Sequence, residues 1–240
     1  MQTEAWIGIL VLLVTVRQGT CKMVNLTEEA EAYLNQTTRN GWESWGLDQN
    51  YEYWTGRHQT RYEHPIRGTV DKFQQDGDCK GRKRPENIVC KEKFIWDFES
   101  GIWSPFQLLV NVTVQLRTGR KKTFQLDLNN ATSIVKPKRL GMKKKKVATT
   151  HHKICHFHAE VTFNGWFAYK VKEVRGDMPN YMSVGIGQLN DLAKGLKSAG
   201  HHTLKYNISG TFKHQLVCTN KTKKTKPQPG TIIKGASKLK

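Results

Sequence analysis

The chain has 240 residues, 39 Lys/Arg against 20 Asp/Glu, and a formal net charge of +19. That length fits one domain, or one domain with arms, and after the single apolar run at the N-terminus no second stretch offers a bilayer anchor. The charge is split: residues 1–100 carry 13 Lys/Arg and 15 Asp/Glu, residues 101–240 carry 26 and 5, so an anionic partner is expected to meet the second half.

The apolar run Trp6 to Val16 is 11 residues long. It suits a signal-peptide core and falls short of the roughly 20 residues that span a bilayer. The best small-residue cleavage site follows Cys21, which makes 1–21 a leader. Four cysteines then remain: Cys79, Cys90, Cys155 and Cys218. An even number in an oxidising compartment reads as two disulfides, for which three pairings exist. The expected ones are Cys79–Cys90 as a local clasp and Cys155–Cys218 as a long-range tie. Six Asn-x-Ser/Thr sequons, at Asn25, Asn35, Asn111, Asn130, Asn207 and Asn220, exceed the roughly two that composition would give by chance. A glycan needs the secretory route and an exposed surface, so the expected address is extracellular.

The first predicted element is a short helix from Asn25. Asn25 can cap it, Glu28 and Glu29 sit in its first turn, and Ala30, Tyr33 and Leu34 share its apolar face. An aromatic cluster follows, Trp42, Trp45, Tyr51, Tyr53, Trp54 and Tyr62, expected to close one end of the core rather than to stack a ligand. The middle of the chain reads as strands. Ile66 to Phe73 alternates weakly, and Asn87 to Trp96 places Ile88, Cys90, Phe94 and Trp96 on one face. Gln107 to Arg117 places Leu108, Val110, Val112, Val114 and Leu116 inward and Asn111 outward. Thr118 and Gly119 turn the chain, and Lys122 to Leu128 returns with Phe124, Leu126 and Leu128 inward. The basic turn therefore stands at a hairpin tip.

Residues 136–150 read as a basic linker. Ile154 to Phe163 alternates again, Asn164 and Gly165 give a strong hairpin signal, and Trp166 to Val174 is the expected partner strand. Gln188 to Ala199 shows a helical stripe of Leu189, Leu192, Ala193 and Leu196, ended by Gly200. Thr203 to Ile208 and Thr211 to Cys218 are expected to form a second hairpin around Ser209 and Gly210. The basic tail 219–240 completes the chain, so 22–218 is read as one β-rich secreted domain. The expected fold class is α+β, mainly antiparallel β in a curved sheet or barrel, with a short N-terminal helix, one late helix and two disulfides. This order is similar to the lipocalin plan, a barrel with a late helix packed outside, although no clear Gly-x-Trp motif is present. That resemblance implies a small-ligand carrier.

The basic residues are clustered. Arg117, Arg120, Lys121 and Lys122 form one group. Lys136, Lys138, Arg139, Lys143, Lys144, Lys145 and Lys146 form a second, and Lys221, Lys223, Lys224 and Lys226 a third. Such clusters attract polyanions by counterion release. Outside the cell the abundant polyanions are sulfated glycosaminoglycans, so heparin-type binding is expected, with an acidic extracellular protein as the other partner class. Nucleic acid is disfavoured by the leader and sequons.

Seven of nine histidines follow residue 150. His156 and His158 lie two apart on an outward strand face, with His152 nearby, but no carboxylate or cysteine at ligand spacing completes a metal site. A secreted basic ribonuclease is an alternative, needing two histidines near a lysine. No hydrolase, metalloprotease or phosphate-loop motif is present. The expectation is a non-enzymatic binding protein without cofactor. Its overall profile resembles that of secreted arthropod salivary or venom glycoproteins, which implies modulation of host defence.

Overall fold

The computed structural model describes residues 22–39, 41–75, 89–116, 119–129, 132–135, 147–172 and 180–219. Their elements run β1 (Lys22–Asn25), α1 (Leu26–Thr37), β2 (Trp42–Gly46), α2 (Glu52–Thr55), β3 (Arg67–Gln75), β4 (Val89–Trp103), β5 (Leu109–Gln115), β6 (Lys121–Asp127) and β7 (Thr132–Val135). β8 (Val147–Asn164), β9 (Trp166–Val171), β10 (Tyr181–Gly185), a 3₁₀ turn (Ile186–Leu189), β11 (Lys197–Gly200) and β12 (Thr203–Thr219) complete them. The protein is mostly β-sheet with two short helices, and none of the described sheets closes into a barrel. The barrel implied by the lipocalin-like order is thus not formed. Among the described residues no helix is long and apolar enough to cross a membrane.

Three long antiparallel strands set the shape. β4, β12 and β8 have 15, 17 and 18 residues and lie side by side in the order β1-β4-β12-β8-β3, with β7 on β4 and β11 on β12. Each strand alternates as period-two patterning requires. Phe94, Trp96 and Phe98 of β4, Phe157, Val161 and Phe163 of β8, and Leu204, Ile208, Phe212 and Leu216 of β12 are buried on one face. The opposite face carries polar pairs such as Lys213–Asp97 (2.9 Å) and Lys205–Glu160 (2.7 Å).

The β5–β6 hairpin covers the apolar face. It forms its own two-stranded sheet and is held to the long strands by packing: Phe124 lies 5.2 Å from Phe94 and 5.8 Å from Trp96, ring to ring. Val112, Val114 and Leu126 are buried beside it while Asn111, Thr113 and Gln125 face outward, as the sequence pattern predicts. α1 packs Leu26, Ala30 and Leu34 into the same core. Its cap is the expected one. Asn25 Oδ1 accepts from the Thr27 amide (3.1 Å), and Asn25 Nδ2 donates to Glu28 Oε1 (2.8 Å).

Four expectations are corrected. Ser209 and Gly210 do not turn the chain; β12 runs straight through them with a register shift on its β4 side. Gly210 is there because a Cβ would lie 2.4 Å from Asp97 O and 2.7 Å from the Phe157 ring, so the glycine serves close packing. Asn164 and Gly165 do not make a β8–β9 hairpin. β9 leaves for a separate sheet of order β10-β9-β2, and at Gly165 (φ +131°) a Cβ would lie 2.8–2.9 Å from Ile66 Cα, Pro65 O and His64 O, too tight for a side chain.

The late helix 188–199 is replaced by the 3₁₀ turn, a loop and β11. Asp191 Oδ1 accepts from the Ala193 (3.0 Å) and Lys194 (3.3 Å) amides, Gly195 has φ +86°, and Leu192 is 72% exposed. An Asp side chain bonding the backbone ahead of it competes with the helix ladder. Finally, a Cys155–Cys218 bond is excluded. Cys155 stands opposite Phe212, six positions along β12 from Cys218, roughly 20 Å at strand rise, whereas a disulfide needs Cα atoms within about 7 Å. Cys218 stands opposite Cys90 in the β4–β12 register; the expected Cys79–Cys90 clasp lies outside the described residues.

Phe124→Ala should lower unfolding free energy by about 3 kcal/mol, and Gln125→Ala on the outer face by less than about 0.5 kcal/mol. Urea titration of the two variants checks the facing of the hairpin; similar losses would contradict it.

Candidate functional site

The basic residues expected to bind polyanions divide between the hairpin tip and segments outside the described residues. Arg120, Lys121 and Lys122 are exposed at the tip, where Gly119 (φ +81°) turns the chain and the Leu116 amide donates to Arg120 O (2.7 Å). Lys122 Nζ lies 4.6 Å from the centre of the Phe124 ring. Arg117, Lys136, Lys138, Arg139, Lys143, Lys144, Lys145, Lys146, Lys221, Lys223 and Lys224 lie outside the described residues.

The described strand ends to which segment 136–146 and the tail attach are neighbours. Thr219 is the register partner of Val89 on one side and of Val147 on the other. Segment 76–88 enters the body at Val89, segment 136–146 at Val147, and the tail leaves it at Thr219. The hairpin points the same way. Its base, Leu108, adjoins Gly68 near the far end of the long strands, while Phe124, close to the tip, lies on Phe94. Phe94 in turn is paired with Val135, where segment 136–146 begins. Segment 136–146 holds seven Lys/Arg, the tail 220–240 another seven, and neither has an Asp or Glu.

The body differs in character from this end. Lys170 pairs with Glu43 (2.9 Å), Lys194 with Glu29 (2.7 Å) and Asp191 (3.6 Å), Lys205 with Glu160 (2.7 Å) and Lys213 with Asp97 (2.9 Å). Hydrogen bonds to the carboxylates raise the Lys170, Lys194 and Lys205 ammonium groups above the ordinary lysine value. By contrast, no described carboxylate pairs with Arg120, Lys121 or Lys122. Among the described residues the three tip cations thus have no carboxylate partner, whereas Lys170, Lys194, Lys205 and Lys213 of the body do.

The histidines are distributed as follows. His156 and His158 face outward on β8, and His156 Nδ1 lies 3.9 Å from Glu99 Oε1. His214 is buried on the core side, bonded to Glu92 (2.8 Å) and stacked on Phe94 at 4.7 Å. No group of three His, Cys, Asp or Glu among the described residues could hold a metal ion; the His152 side chain is outside them. Of the sequons, Asn35, Asn111 and Asn207 are exposed, Asn25 is half-buried as the α1 cap, and Asn130 and Asn220 lie outside. A glycan bonds to Nδ2 and leaves Oδ1 free, so the Asn25–Thr27 cap bond and the bond from Trp42 Nε1 to Asn35 Oδ1 (3.0 Å) are compatible with a sugar.

The aromatic cluster splits. Trp42 and Trp45 pack on the main core, whereas Tyr53, Trp54 and Ala168 make a second small core with Tyr51, Trp166 and Tyr181; Tyr62 is 81% exposed. Glu63, which the sequence reading passed over, ties this second core together. It accepts from Tyr53 Oη (2.6 Å), the Thr60 amide (2.8 Å) and Ser183 Oγ. Burial alone would push its carboxyl up; the bonds from Ser183, Tyr53 and Thr60 outweigh that and hold it below the ordinary carboxylate range. Burial and the bond to Glu63 push Tyr53 up to about 12.

No protein family and no curated sequence matches the chain. Among solved structures it is similar to the Cry23Aa1 and Cry37Aa1 binary protein complex, at 9% identity and TM-score 0.41 over 80% of this chain and 85% of that one. It is similar to a non-toxic crystal protein from Bacillus thuringiensis, at 11% identity and TM-score 0.42 over 82% and 94%. The Mpp75Aa1.1 β-pore-forming protein from Brevibacillus laterosporus matches at 11% identity and TM-score 0.25 over 79% and 83%. At these scores no site or activity carries over to this chain.

A group with a lowered folded-state pKa stabilises above its unfolded pKa and stops doing so as pH falls through the folded value. Tyr53→Phe should therefore cost about 1 kcal/mol at pH 7, given partial exposure of Glu63, and less near pH 3. Urea midpoints at the two pH values check this; an equal loss at both would detach Tyr53 from the Glu63 charge.

Proposed function

We propose that this is a secreted, N-glycosylated, non-enzymatic binding protein whose basic end engages a sulfated glycosaminoglycan. The observation that carries the reading is the adjacency of Val89, Val147 and Thr219. It joins basic segments far apart in sequence to neighbouring strand ends, with the hairpin tip directed the same way. Charges gathered at one end act on a polyanion together: each engaged lysine releases a counterion, and linked contacts raise the effective concentration of the rest. The exposure of Asn35, Asn111 and Asn207 supports the glycosylated, extracellular setting.

The finer part of the fold reading is the disulfide framework, and we infer Cys90–Cys218 as one of its bonds. Directly opposed residues of an antiparallel pair have Cα atoms about 4.5–5.5 Å apart, within the span a disulfide bridges. Cys218 is buried, which suits such a bond. It would fasten the ends of β4 and β12 beside the basic segments, and closing so long a loop is worth roughly 4–5 kcal/mol in the chain-entropy view.

Two measurements test these readings. The deglycosylated protein should elute from heparin at high salt, and replacing Lys143, Lys144, Lys145 and Lys146 by Ala should lower that salt and reduce the slope of log Kd against log salt by about one unit per engaged lysine. An unchanged elution profile removes the segment from the site. Retention on an acidic protein column alone would shift the partner class. Proteolysis without reduction should give a peptide pair linked through Cys90 and Cys218; a Cys155–Cys218 pair would contradict the strand register.

A further inference from the structure

The end of the long sheet opposite the basic segments holds a groove of about 480 Å³. It is built by three stretches distant in sequence: the loop after β2, the start of β3, and the crossing from β4 to β5. Asp48, Gln49 and Asn50 form one wall, Arg67 the floor edge, and Phe106 with Gln107 the other wall. Both walls are fixed. Asp48 Oδ1 accepts from the Asn50 amide (2.7 Å), and the Tyr51 amide donates to Asp48 O (3.3 Å). Asn129 Nδ2 donates to Phe106 O (2.7 Å), while Ser104 donates to Asn129 Oδ1 through its amide (3.1 Å) and hydroxyl (3.0 Å).

Gly68 lets the walls close. A Cβ there would lie 3.0 Å from both Phe106 Cβ and Leu108 Cδ2, so any side chain would push the second wall outward. Phe106 is held on the core by Phe163, with ring centres 5.8 Å apart.

The polar groups at this groove are unspent. Among the described residues, the side chains of Gln49, Asn50, Arg67 and Gln107 make no hydrogen bond or ion pair, although they are exposed. A single free guanidinium, three amides able both to donate and to accept, one carboxylate for donors and one aromatic edge make a specific combination. The guanidinium fork matches a carboxylate bidentately. The amides and Asp48 match vicinal hydroxyls, and Phe106 matches the apolar face of a sugar ring. The volume lies in the range of small-ligand sites.

We propose that this groove binds a carboxylated pyranose, a uronic or sialic acid residue, with its carboxylate on Arg67 and its hydroxyls on Gln49, Asn50 and Gln107. The site is separate from the basic end. Arg67 faces Asn164, which faces Thr203, at the start of β12, whereas the basic segments meet at Thr219, about 50 Å away at strand rise.

The test is ligand-observed NMR titration of the glycosylation-free protein with glucuronate, N-acetylneuraminate, glucose and acetate. One or both sugar acids should bind at least about tenfold more tightly than glucose and acetate, and which of the two binds identifies the source. Arg67→Ala should abolish that preference, and Arg67→Lys should weaken it by losing the fork, each with an unchanged thermal midpoint because the residue is exposed. Equal binding of acid and neutral sugars, acetate binding as tightly as the sugar acids, no binding of any probe, or full binding by Arg67→Ala overturns the proposal. Heparin elution of Arg67→Ala should be unaltered, so failure here is distinguishable from failure at the basic end.

Discussion

The alternation shared by β4, β12 and β8 is the constraint from which the rest follows. In alternate rows of the three-strand ladder buried side chains face the core: Phe94 with His214, Trp96 with Phe212, and Phe212 with Cys155. A slip of one residue would turn every member of a strand to the other face. It would place Phe212 and Leu216 in water and Lys213 under the hairpin, at a cost no surface rearrangement could offset. The register is thus fixed by burial, and it decides which residues lie outside, which cysteines meet and where each connecting segment joins the body.

The hairpin depends on the same constraint in a different way. β5 and β6 pair with each other and not with the long sheet, so backbone bonding does not position the pair. Its place is set by Val112, Val114, Phe124 and Leu126 fitting over Phe94 and Trp96. The direction of the basic tip is therefore a consequence of core packing. The cation of Lys122 rests on Phe124, so a residue of the basic cluster touches the ring that anchors the hairpin.

Where local pattern and tertiary packing agree, the sequence was readable. The period-two run Leu108 to Leu116, the return through Phe124 and Leu126, the strand from Ile154 to Phe163 and the Asn25 cap all stand as expected. Misreadings cluster at Gly, Asn and Asp. Gly210 and Gly165 carry turn-like chemistry but are required by neighbouring backbone or rings within 3 Å, information that resides in other strands. Leu189, Leu192 and Leu196 have helical spacing, yet the Asp191 side chain bonds the amides ahead of it and leaves Leu192 in solvent. The Cys155–Cys218 pairing failed for a related reason: the order of cysteines in sequence says little about chains that run antiparallel over 15 or more residues. The basic clusters were legible as charge, but the attachment of their segments to neighbouring strand ends was not, because it follows from Val89 and Val147 flanking Thr219. The Arg67 groove left no signal at all, since its walls come from three segments without a shared motif.

Length separates the two ends electrically as well as sterically. The Debye length at physiological salt is about 8 Å, and the strands extend the body to several times that. Charge at the hairpin tip is therefore screened from the groove, and Lys170, Lys194, Lys205 and Lys213 of the body are matched by Glu43, Glu29, Glu160 and Asp97. Each of these four lysines would have to leave its carboxylate before gaining another anion. Segments 136–146 and 220–240 contain no Asp or Glu, whereas segment 76–88, which enters at Val89, contains Asp76, Asp78 and Glu86. The same number of lysines spread evenly over the surface would give a protein of equal net charge and far weaker attraction for an extended anion. On the proposed function, position relative to carboxylates, set by the strand register, would turn the +19 charge from a solubility term into a directed one.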